Sequence, residues 1–128
     1  MRRCAVLLLG WVIAWTACAD SGEAVYREVC AVCHATKFDK APQLGDRQAW
    51  APLLEEGQHV VTAHAWVGVR NMPPRGGKSD LALADFARAA AYMARAAGAK
   101  WKDPDAAMLA KIRAEIDGHR HESHGSHK

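Results

Sequence analysis

The chain is 128 residues long, which is room for one domain. Its 17 basic and 14 acidic residues give a formal charge of +3, too little to mark a nucleic-acid binder. The first 19 residues look removable and carry Arg2 and Arg3 but no acid, so the remainder sets 15 basic residues against 14 acidic ones, a formal charge of +1.

Arg2 and Arg3 make a positive start, Val6 to Trp15 an apolar run, and Ala17-Cys18-Ala19 a small-x-small cleavage site. Residues 1–19 therefore read as a signal peptide, with an exported mature chain beginning at Asp20. The apolar run falls short of the roughly 20 residues that a membrane-spanning helix needs. An uncleaved anchor and a lipidated Cys18 rank below simple secretion, because Trp15 is a poor residue three positions before a lipidated cysteine. Of the four cysteines, only Cys30 and Cys33 remain after cleavage.

From Gly22 to Val32, valines 25, 29 and 32 recur at helical spacing with Tyr26 one turn before Cys30. This predicts a short amphipathic helix that presents Cys30-Ala31-Val32-Cys33-His34 at its end. CxxCH is the pattern for covalent attachment of haem c: two thiols reach the two vinyl groups on one porphyrin edge, and the next histidine meets the iron. The rivals are a zinc half-site, a thioredoxin-like pair and a disulfide. Zinc needs four ligands, and no second CxxC or HxxxH pair completes a closed site. A thioredoxin-like pair needs a βαβ pattern, which is missing. An oxidising compartment would close a disulfide, a hazard that thioether bonds remove.

Residues 35–47 lack periodicity and contain Pro42 and Gly45, so they read as a loop. Ala41-Pro42 is either an ordinary turn or the source of a backbone carbonyl for the free ring nitrogen of His34, which would fix its tautomer. A short helix is expected over Gln48–Glu56, with Pro52 in its first turn and Gly57 ending it, and another over Gln58–Val67, closed by Gly68.

Asn71-Met72-Pro73-Pro74-Arg75-Gly76-Gly77 is the second informative stretch. Its prolines deny a helix and hold Met72 extended, while its glycines let backbone approach a flat ligand. Thirty-eight residues after His34, a methionine in so stiff a loop suits the distal axial position of haem iron. The competitors His59, His64 and Met93 each sit in an expected helix, where packing or surface roles are the rule. An alanine-rich helix over Leu81–Ala97 should pack across the Gly22–Val32 helix. An additional helix over 101–117, started by Pro104, has no evident purpose. Gly118 to Lys128, with His119, His121, His124 and His127, reads as a disordered tail. A His-rich tract also offers metal binding, a functional class separate from haem chemistry.

Together, Tyr26-x-x-x-Cys-x-x-Cys-His, Ala41-Pro42, Gly45-Asp46, Trp50, Ala65-x-x-Gly68-x-x-x-Met72-Pro73-Pro74-x-Gly76-Gly77 and Tyr92-Met93 resemble the class I bacterial c-type cytochromes, within them the cytochrome c-five subgroup. The likeness covers about Gly22 to Gly98. It implies an all-α fold of about four to five helices around one covalently bound haem, in a domain of residues 20–100. Carried over by position, Cys30 and Cys33 are thioether sites, His34 is the proximal ligand and Met72 the distal one. The implied role is an electron carrier rather than an enzyme, serving periplasmic redox partners with no small-molecule substrate at the iron. Alternatives are a dedicated electron-transfer subunit of a periplasmic oxidoreductase, or a small peroxidase or gas sensor should Met72 not be a firm ligand. Weak membrane association is a further partner class. The chain departs from the subgroup at Lys37-Phe38-Asp39-Lys40, where a glycine-rich turn is usual. It departs again at Ala82-Leu83, which shifts the expected cap of the last helix to Ser79 or Asp80.

Overall fold

The computed structural model describes residues 20–125. The signal-peptide reading with Cys4 and Cys18, and the end of the tail with His127, lie outside the described residues. Among the described residues there are five helices and no strand, the all-α fold expected. The only β pairing among them is an isolated bridge between Val69 and Met72.

The first helix is compound: α1 (Gly22–Val25), a π-helical turn (Tyr26–Cys30) and α2 (Ala31–His34) run on without a break. Ser21 caps it, its hydroxyl accepting from the amide of Ala24. The π turn ends on the first of the two cysteines, Cys30, a device that side-chain periodicity does not reveal. α3 (Arg47–Glu56) and α4 (Gln58–Val67) match the expected bounds within a residue. Asp46 caps α3 by accepting from the amide of Ala49. Pro52, the sixth residue of α3, lies inside the helix and not in its first turn.

α5 (Leu83–Ala96) is the central helix, burying Phe86, Ala87, Ala89, Ala91, Met93 and Ala94. Its N-cap is Ala82, which offers no side-chain bond, so the expected cap at Ser79 or Asp80 is not used. Asp85 in its first turn pairs instead with Arg88, which also donates to the carbonyl of Asp20. α1 crosses α5 as expected, and at Gly22 so closely that an added Cβ would lie 2.2 Å from the carbonyl oxygen of Arg88. Tyr26 and Tyr92 pack beside this crossing, ring centroids 5.4 Å apart.

α6 (Ala106–Gly125) corrects the tail reading: residues 118–125 are helical and not disordered. The reason is tertiary. Ile112 and Ile116 are fully or nearly buried against the core, with Met108 and Leu109 packed beside them. His119 extends that contact onto α4 by meeting His64 edge to face at 4.5 Å. Asp105 starts the helix by accepting from the amide of Met108, one residue after the expected Pro104.

Candidate functional site

The two thiols and His34 sit on one short stretch of helix. Cys30 closes the π turn and is buried, Cys33 is half-buried on α2, and both are free thiols. Burial, with a smaller contribution from neighbouring Cys33, pushes the Cys30 thiol up to about 11. Two reduced thiols followed at once by an imidazole form the donor set that covalent haem c requires.

His34 is 8% exposed, and its Nδ1 lies 2.7 Å from the carbonyl oxygen of Pro42. A carbonyl only accepts, so Nδ1 carries the proton and Nε2 keeps its lone pair for a metal. Of the two readings of Ala41-Pro42, the carbonyl partner for the histidine is the one realised. The loop that delivers it is tied to the helix at several points. Leu44 N–H donates to the carbonyl of His34 at 3.0 Å. Gln43 donates through Nε2 to the carbonyls of Cys33 and Ala41, and its Oε1 accepts from the amide of Lys37. Buried Trp50 donates from Nε1 to the carbonyl of Gln43. Gln43 is thus the organiser of the loop, a role sequence reasoning missed. A lone glutamine in an aperiodic segment carries no signal of it.

Met72 is half-buried against the core. Val69 and Met72 exchange backbone bonds, Met72 N–H to Val69 O at 2.9 Å and Val69 N–H to Met72 O at 3.1 Å, closing a tight turn with Arg70 at φ 52°. Pro73 then holds an extended backbone. Gly68 is needed here: its φ is 94°, and a Cβ on it would meet Pro74 at 3.0 Å and Met72 O at 3.2 Å. Gly76, also at positive φ, brings the end of the loop against Val29 of the π turn, so the Met72 loop and the cysteine-bearing helix are neighbours.

Two of the three competitors are engaged elsewhere. His64 faces Glu56 at 3.4 Å and packs on His119, while Met93 is buried in the core of α5. His59 is half-buried on α4. Among the cations around the Met72 loop, Lys78 pairs with Glu28 and Asp80, and those carboxylates hold its ammonium above the usual lysine range. The Arg75 guanidinium lies 4.7 Å from the centre of the Trp66 ring. Arg70, Lys37 and Lys40 are exposed, as are the apolar Val32 (69%), Phe38 (61%) and Val69 (42%).

Comparisons with known proteins point to one family. Residues 17–93 match the family described as cytochrome c oxidase, cbb3-type, subunit III. The chain is 39% identical over 79 residues to cytochrome c-555 of Chlorobaculum thiosulfatiphilum, covering 59% of this chain and 92% of that one. It is 34% identical over 64 residues to cytochrome c5 of Azotobacter vinelandii, covering 48% and 77%. Among solved structures it resembles a chain of the electron transfer complex of nitrite reductase with cytochrome c. That chain is 47% identical with a TM-score of 0.57, over 59% of this chain and 93% of that one.

Proposed function

The chain belongs to the class I c-type cytochromes of the c-five type, monohaem electron carriers with covalently bound haem c, and from that ground we propose a periplasmic carrier with His34 and Met72 as axial ligands. Cys30 and Cys33 are the thioether sites. When bound, the haem supplies a one-electron ferric–ferrous couple. The protein's part is to hold the ligands still. Pro42 fixes the His34 tautomer and raises the basicity of Nε2, and the Gln43 bonds keep that carbonyl in place. The paired backbone bonds to Val69 and the following prolines hold Met72 in a loop beside the cysteine-bearing helix. The observation that carries the reading is the 2.7 Å contact between His34 Nδ1 and Pro42, since it prepares one nitrogen for a metal.

Periplasmic location rests on the export pattern of residues 1–19. No helix among the described residues is long and apolar enough to cross a membrane. The partners proposed are periplasmic redox proteins. Val32, Phe38 and Val69, with Arg70, Lys37 and Lys40 near them in sequence, supply apolar contact and charge for a small transient interface.

Voltammetry of the haem-loaded protein tests the carrier role. One reversible one-electron wave, unchanged when peroxide is added, is the expected outcome. A catalytic current with peroxide would make the protein an enzyme and contradict the reading.

A further inference from the structure

We propose that His64, Glu115 and His119 form a binding site for a divalent transition-metal ion of the zinc and nickel class, separate from the cysteine–histidine site. The three residues come from two helices, His64 from α4 and the others from α6. One donor atom from each lies within 4.8 Å of the other two. Bonds of about 2 Å to zinc hold donors within about 4 Å of each other, so a small rotamer adjustment completes the site.

Three observations favour a cation here over plain packing. His119 Nε2 is buried with no hydrogen-bond partner, its nearest carboxylate being Glu115 Oε1 at 3.4 Å. A buried nitrogen left without a partner is unfavourable, and a metal bound between it and Glu115 removes that cost. Three carboxylates surround the two imidazoles, because Glu56 lies 3.4 Å from His64 Nδ1 and Glu122 lies 3.9 Å from His119 Nδ1. Carboxylates placed beside ligating histidines orient the rings and strengthen their donation. Each of the three donor residues is half-buried, and an open groove of about 410 Å³ lined by Trp66, Arg75 and Arg120 reaches one of them, His119. Arg75 is turned over Trp66, and Arg120 reaches towards Asp117. With two imidazoles and one carboxylate, coordination positions are left for water or an exogenous ligand. Binding would clamp α6 onto α4 and so give the additional helix a purpose.

The test is calorimetric titration of the chelator-treated, haem-loaded full chain with Zn²⁺. One ion is expected per chain. His64→Gln, His119→Gln and Glu115→Gln should each weaken binding by at least about tenfold, because loss of even a group that only supports a metal ligand costs about 10–100-fold. A chain carrying His121→Gln, His124→Gln and His127→Gln together should bind as the wild type does, which separates this site from a loose His-rich tract. Helical circular dichroism and the haem spectrum report the fold of every variant. Glu115→Gln keeps the shape of a half-buried side chain, so it decides the matter should a histidine variant fail to fold. The proposal is overturned by a wild type that takes up no stoichiometric Zn²⁺, by folded Glu115→Gln and His64→Gln variants that bind undiminished, or by loss of binding in the triple tail variant.

Discussion

Alanine at position 22 should destabilise the protein by about 1–3 kcal/mol, the usual cost of overpacking a close contact. The added Cβ would stand 2.2 Å from the carbonyl oxygen of Arg88, 2.7 Å from its carbon and 3.1 Å from Cβ of Tyr92. Two of these are backbone atoms of α5 and cannot swing aside, so α1 and α5 must separate. That separation also opens the Tyr26–Tyr92 contact and strips the Arg88 bond to the carbonyl of Asp20. For a domain of this size, 1 kcal/mol corresponds to roughly 4–8 °C in Tm. Gly118→Ala is the control: nothing lies within 4 Å of its added Cβ, and alanine is the better helix former inside α6. Thermal unfolding of the haem-loaded proteins should show a clear drop for the first and no drop for the second. Equal midpoints would mean that the helix crossing has slack enough to admit a methyl group.

Met72→Ala should convert a protein indifferent to carbon monoxide into one whose reduced form binds it stoichiometrically, with a lower reduction potential. A thioether ligand stabilises the reduced iron, so its loss lowers the potential and leaves the distal position open. The loop should survive, because the bonds that close it run between the main chains of Val69 and Met72 and do not involve the sulfur. Tm therefore falls by less than the full burial of a methionine would imply, Met72 being only half-buried. The titration is read in the visible spectrum. A variant that still refuses carbon monoxide would remove Met72 from the iron and leave His59, His64 or Met93 to fill the distal position.

Much of this was legible in the residues themselves. Gly57 and Gly68 punctuate α3 and α4 at the expected places, since both sit at positive φ where other residues are strained. Pro42 could be paired with His34 because a histidine that ligates a metal needs a partner for its other nitrogen. What escaped was information held between elements. The π turn over Tyr26–Cys30 changes backbone bonding without disturbing the valine spacing. The extension of α6 runs through Gly118, His119, His121 and Ser123, a composition that reads as solvated. It stays helical because Ile112 and Ile116 anchor it and His119 meets a histidine 55 residues earlier. Likewise Gln43 and Arg75 acquire their roles only from what the fold sets beside them, Cys33 and Trp66.

The optical spectra of the purified haem-loaded wild type, oxidised, reduced and reduced under carbon monoxide, test the central claim most directly. His34/Met72 ligation predicts a methionine–iron charge-transfer band, a low-spin reduced spectrum and no response to carbon monoxide. A high-spin spectrum with ready carbon monoxide binding would contradict it, leaving an open iron and a protein that binds ligands in place of one that passes electrons.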